Sequence, residues 1–468
     1  MKNKGIRLLA MVSAILLMGT LATACGKSPA SSGASSSASE EKKYNFNGMK
    51  ITFADTFGKD LTPGKDAETD ALIAKIEEVK AKYNVDFEWV KVDAGPYWDN
   101  MASVIMSGEP FGDIMYSFPW MITDWVKAGA VKDVGEIAAS LGLDLKDGTW
   151  NNFIMDETTY GDTIYGFSKK ANTIQSSLLY NKRLFSEAKL TDPNTLIKEG
   201  KKWDYATMEE YARQLTKNDA TGHTVQWGLS TMDSYWLMTT FAVCNGGELV
   251  NYKTNPPTFN MDSPKCLTGL EYFNKMLNTD KTIYLRPAGG DWKLTVDAFA
   301  NGKVGMFRAE EWVIEYIRDV MTENGTNEEY GLTYFPMGPD ATEYVDESYG
   351  GNSYFIPASI STEKAQAALL VYRDLMSPID EYTPEERVRN RAEELFPDEE
   401  SVKVYTDLML NSKIRSNGVC RVGLREAMME MAGAFMDNEG TPQSIISEAK
   451  PRYQAVINDS AYTGILNQ

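Results

Sequence analysis

The sequence predicts a layered α/β protein of two to three domains, and three observations predict it. At about 150 residues per domain, a chain of 468 residues holds two to three domains. Hydrophobic residues make up 43% and aromatics 11%, enough for more than one large core. Strand-type and helix-type patterns alternate from the start of the folded part, as in βα units whose helices cover a sheet.

Taken in order, MKITFADTF reads as a strand. In ETDALIAKIEEVKAKY, Ala71, Ile73, Ile76, Val79 and Tyr83 recur at helical spacing, and Val85, Phe87 and Trp89 then alternate as in a second strand. YWDNMASVIMSGEP is a helix ending at Gly108, and DIMYSF is a short apolar strand. PWMITDWVKAGAVKDVGEIAASL is helical with a break at Gly129. SSLLYN is a strand running into a helix, and WDYATMEEYARQLTK opens on an Asp204-to-Thr207 start signal. The second half is more helical, through DSPKCLTGLEYFNKMLNT, WKLTVDAFANG and EEWVIEYIRDVMTENG, with KVGMFRA and EYGLTYFPM read as a strand pair around the last. GGNSYFIPASI returns as a strand before the helix STEKAQAALLVYRDLMS, and residues 425–437 and 442–458 form C-terminal helices. The sequence has no internal repeat.

Ahead of all this, Lys2, Lys4 and Arg7 precede an uncharged apolar stretch from Leu8 to Ala24, closed by the small residues Ala22, Thr23 and Ala24. That is the pattern of a secretory signal over residues 1–24. Cys25 follows at once and resembles the processing site of a bacterial lipobox, which implies a lipidated N-terminus. Two acyl chains suffice for stable attachment, at about 0.8 kcal/mol per buried methylene. Residues 28–39 are only Ser, Ala, Gly and one Pro, so residues 25–43 are expected to be a flexible tether, with the fold beginning near Tyr44.

A formal charge of −19 leaves no basic stripe for phosphates, which argues against nucleic acid and against adsorption to an anionic membrane, leaving the lipid as the attachment. The other cysteines, Cys244, Cys266 and Cys420, make neither a zinc motif nor a disulfide scaffold; buried free thiols are expected, with a Cys244–Cys266 bridge as the alternative. His223 is the only histidine and lies in the polar turn KNDATGHTVQWG, so clustered-histidine metal sites are excluded and solvent is expected around it. GGNSYF and NGGEL lack the spacing of a phosphate loop.

Six segments in order, SGEPFGDIMY, WVKAGAVKDV, YGFSKKANTIQSSLLYNKRLFSEAKL, WDYATMEEYARQLTK, AFANGKVGMF and GGNSYFIPAS, closely resemble family 1 extracellular solute-binding proteins, the class that includes the maltose-binding type. The resemblance implies a type II periplasmic-binding-protein fold: two α/β lobes joined by a multi-strand hinge, with ligand in the cleft between them. It implies lobe 1 over residues 44–172 plus 349–380, lobe 2 over 173–348 plus 381–468, and crossings near Asn172, Tyr349 and Ile379. It further implies a monomeric, non-enzymatic, cofactor-free binding component of an ABC importer, which closes on its solute and delivers it to the permease subunits.

Sugar recognition needs flat aromatic faces and planar polar groups. Trp120, after DIMYSF, is similar in placement to the aromatic after the equivalent strand in maltose-type binders, and Trp312 matches a position where the family stacks an aromatic on sugar. Trp236, Trp292 and Phe57 also follow strands or flexible turns, and Tyr349 and Asn352 flank Gly350 and Gly351, where backbone can approach ligand. Asp124, Asp233 and Glu311 neighbour these aromatics and would accept hydroxyls. Trp89 and Trp227 alternate within strands and are read as core. Lys169 and Lys170 would either steer an anionic ligand, such as a uronic acid, or stay solvated. Alternatives to an oligosaccharide are a polyamine, peptide or anion. A glycoside hydrolase, with two carboxylates at about 5–9 Å, belongs to another class.

Overall fold

The computed structural model describes residues 44–287, 289–326 and 328–462. The expected signal, Cys25 and the tether lie outside the described residues.

A first sheet runs in the order Val85–Lys91, Met49–Asp55, Ile114–Ser117, Ser353–Phe355, Gly166–Phe167. Its first three strands are parallel, with Met49 opposite Val85 and Phe53 opposite Ile114, and Ser353–Phe355 is antiparallel to both its neighbours. The helix Ala67–Tyr83 links Met49–Asp55 to the edge strand Val85–Lys91. It starts where Asp66 accepts from the Thr69 amide and stops at Asn84 in the left-handed conformation. The helix Thr362–Leu375, much later in the chain, covers the same sheet, with Tyr372 stacked 6.4 Å from Phe53.

A second sheet has the order Ile283–Tyr284, Thr224–Thr231, Val304–Ala309, Ser177–Asn181, Tyr330–Thr333, with Lys217–Asn218 added beside Thr224–Thr231. KVGMFRA and EYGLTYFPM are therefore both strands but do not pair with each other. Ser177–Asn181 lies between them, antiparallel to both. The reason is burial: every residue of SLLYN is buried, so this strand is central and apolar on both faces. Leu178 and Tyr180 pack with the helices Tyr205–Leu215, Ser234–Val243, Pro264–Asn274 and Arg425–Met436. Leu179 and Phe307 pack on the other side with Lys293–Ala300, Glu311–Glu323, Pro384–Leu395 and Glu399–Leu410.

The segments that pass between the sheets lie side by side. Asp346–Ser348 pairs in parallel with Ile414–Ser416, outside both sheets. Asp346 accepts the amides of Gln175 and Ser176 at 2.8 Å each, and the Gln175 side-chain oxygen accepts from the Ser348 hydroxyl and the Tyr349 amide. Gly350 follows at φ +100, where a Cβ would come 2.7 Å from Pro119. Cys244, Cys266 and Cys420 are buried free thiols, and His223 is exposed. Trp89 and Trp227 are half-buried rather than fully in the core. The Trp89 indole donates to Asp55, while Trp227 lies in the less buried first half of its strand and stacks on Tyr284 at 4.4 Å.

Candidate functional site

A cavity of about 620 Å³ opens where the crossing segments meet both sheets. Its floor is Gln175, Ser348, Tyr349, Gly350 and Gly351. Lys59, Phe118, Asn151, Lys170 and Asn352 line it from the first sheet, and Glu310, Glu311, Trp312, Glu315 and Arg391 from the second.

Trp312 sits in the first turn of the helix Glu311–Glu323, just past the carboxyl end of Val304–Ala309. Val313, Ile314 and Ile317 anchor that helix in the core, which leaves Trp312 on the outer face at 45% exposure. Its indole N–H donates to Glu310 at 2.7 Å, and the Tyr349 hydroxyl donates to the same oxygen at 2.5 Å. The other Glu310 oxygen accepts from Arg308 at 3.1 Å. One carboxylate thus fixes two aromatic rings.

Beneath it lies a buried charge cluster. Burial opposes the charge on Arg308, yet Glu310 and Glu347 beside it hold its pKa above the ordinary value. Burial pushes Asp346 up to about 7, against the Ser176 and Gln175 amides and Arg308, which favour the ionised form. Burial also raises Glu347, whose oxygens accept from Thr239, Thr240 and Asn417. On the cavity wall Glu311 accepts from Arg391 at 2.9 Å and from the Tyr405 hydroxyl at 2.6 Å, and Glu315 pairs with the same guanidinium.

On the first-sheet side, Phe118 follows the strand Ile114–Ser117 directly, and its ring stacks on Trp120 with centroids 4.3 Å apart and planes within 6°. The Tyr116 hydroxyl donates to Asn352 at 2.7 Å. The arrangement offers two aromatic faces, one on each side, with amides and charged groups between them. That suits a flat, hydroxyl-rich solute.

The sequence profile of the bacterial extracellular solute-binding proteins matches residues 65–371. The chain belongs to that family. Its members are solute-binding proteins that work outside the cytoplasm. No curated protein sequence matches this solute-binding protein. Among solved structures it is similar to the GacH receptor of Streptomyces glaucescens, determined unliganded and with acarbose (TM-score 0.62, 19% identity, 88% of this chain and 99% of that one). It is similar to an ABC substrate-binding protein of Listeria monocytogenes in complex with cycloalternan (TM-score 0.59, 17% identity, 88% and 99%). UgpB of Mycobacterium tuberculosis, in complex with glycerophosphocholine, is also similar (TM-score 0.61, 15% identity, 88% and 98%). The fold is that of the periplasmic binding proteins, two α/β lobes.

Of the residues singled out in the sequence, Glu311, Trp312, Tyr349 and Asn352 line the cavity of this solute-binding protein. Trp120 stands behind Phe118, half-buried, 5.5 Å from Tyr349 and beneath the Arg425 guanidinium at 5.2 Å. Phe57, 65% exposed, lies edge-on to Tyr116 at 5.3 Å. Trp236 is buried flat against Tyr349, and Trp292 packs edge-on to Trp312 at 5.2 Å. Asp233 pairs with Arg286, and Asp124 is exposed near Lys127; neither lines the cavity. Phe118, Glu310, Lys59 and Arg391 were not singled out. Phe118 and Glu310 carry a local signal, directly after DIMYSF and two residues before Trp312. Lys59 and Arg391 carry none, because only the fold brings them to the cavity.

Proposed function

We propose that this protein is the substrate-binding component of an ABC importer for a carbohydrate, an oligosaccharide, held between the two lobes and delivered to the permease subunits. Lobe 1 is residues 44–172 with 349–380, lobe 2 is 173–348 with 381–468, and the segments around Gln175 and Tyr349 serve as hinges. After removal of residues 1–24, Cys25 carries the lipid that tethers a monomeric binding protein to the outer face of the membrane.

The observation that supports the reading most is Trp312. An exposed indole at a cavity wall, fixed by Glu310 through its N–H, is a ready-made stacking face for a pyranose. The acarbose and cycloalternan bound by two structural relatives are ligands of that shape. Calorimetric titration against mono- and oligosaccharides, with polyamines and a peptide mixture as controls, tests it. Micromolar or tighter binding of a saccharide is expected; heat from a polyamine or peptide alone overturns the carbohydrate assignment. For the anchor, a Cys25→Ser variant is expected in the soluble fraction with solute binding intact, and retention in the membrane fraction would contradict lipidation.

A further inference from the structure

We infer that the saccharide taken by this cleft carries an acidic group, a carboxylate or an ester sulfate, held by Lys59 and Lys170. The inference rests on the carbohydrate reading above and narrows it.

The charged groups of the cavity divide into two kinds. Every carboxylate on its wall already has a cation or strong donors. Glu310 has Arg308, Trp312 and Tyr349, and Glu311 and Glu315 share Arg391. Arg391 in turn also holds Glu394, so it too is engaged. The two lysines differ. Among the described residues, neither ammonium has a carboxylate within ion-pair distance; Lys59 lies over the Trp89 ring at 5.9 Å and Lys170 over the Tyr354 ring at 5.8 Å.

The surrounding cleft pushes the Lys170 ammonium below its ordinary pKa, while Asp55 pulls the other way. Asp55 itself accepts from the amides of Phe57 and Gly58 and from the Trp89 indole, and it is not within ion-pair distance of the ammonium. Both lysines are exposed at the cavity wall, where an entering anion meets their ammonium groups.

The neutral groups lean the same way. The side-chain oxygen of Asn352 accepts from Tyr116 and that of Asn172 from Asn151, so each has its NH₂ left to give. Two ammonium groups and two amide donors ask for an acceptor-rich ligand. A polyamine would meet the lysines and find each wall carboxylate occupied. With Trp312 and Phe118 supplying ring faces, the ligand that satisfies both sets is an acidic saccharide.

The test is calorimetric titration of the protein with matched saccharides: oligogalacturonides and hyaluronan fragments, their methyl esters with the charge removed, and sulfated chondroitin oligosaccharides. Acidic forms are expected to bind at least about tenfold more tightly than their esters, an advantage that shrinks as salt is raised. Lys59→Gln and Lys170→Gln are each expected to weaken the acidic ligand about tenfold and leave the ester unchanged, with Lys170→Arg restoring binding. A uronate preference over sulfate, or the reverse, assigns the acidic group. Equal binding of acid and ester, or lysine variants that bind the acid like wild type, overturns the inference and leaves the carbohydrate reading standing. If no saccharide binds, in either form, the two fall together.

Discussion

Trp236 and Trp312 each sit within the first turns of a helix that follows a strand, and in sequence they look alike. Their neighbours separate them. Trp236 is 2% exposed and lies flat on Tyr349, centroids 4.0 Å apart, so it acts as the backing of the cavity floor. Truncation there leaves a void, and Trp236→Ala is expected to cost about 3–5 kcal/mol in denaturant unfolding; a loss below about 1 kcal/mol would contradict its place in the core. Trp312 faces the cavity and holds no such load. The sequence marks both as aromatics after strands but says nothing of what lies opposite, since Tyr349 comes from a distant segment. Lys59 and Arg391 were illegible for the same reason. By contrast Asp124 and Asp233 were singled out for sitting beside aromatics, and adjacency in the chain did not bring them to the cavity wall.

At the scale of elements, alternation and helical spacing located the strands and helices well wherever one face is solvated, as in Val85–Lys91 and Ala67–Tyr83. They failed on pairing where a strand is buried on both faces, as Ser177–Asn181 is, because nothing local sets its neighbours. The crossing segments carry a property the sequence hides altogether. Asp346, ordinarily at 3.8, is raised to about 7 by burial. Between those values the folded protein keeps a proton that the unfolded chain has released. The stabilising contribution is complete below about pH 4 and is lost as pH rises through 7, at about 1.4 kcal/mol per unit. The stability of wild type relative to Asp346→Asn is therefore expected to fall by a few kcal/mol between about pH 4 and pH 7 in denaturant midpoints. A difference independent of pH would contradict the raised carboxyl.

For the molecule as a whole, the two-lobe α/β class and the family were legible from the order of six segments, each weak alone. The charge of −19 argues against nucleic acid as a partner. What the sequence could not give is the composition of the cleft, because its two walls and its floor come from at least five separated stretches between Lys59 and Arg391. The account depends on that cleft being where solute is held. The measurement that addresses this most directly is titration of wild type and Trp312→Ala, side by side, with the saccharide that binds. The account predicts affinity about 10–100-fold weaker in the variant, as for a lost aromatic anchor, with an unchanged Tm, since Trp312 is half in solvent. Equal affinity in the two proteins would place the solute elsewhere and contradict the account.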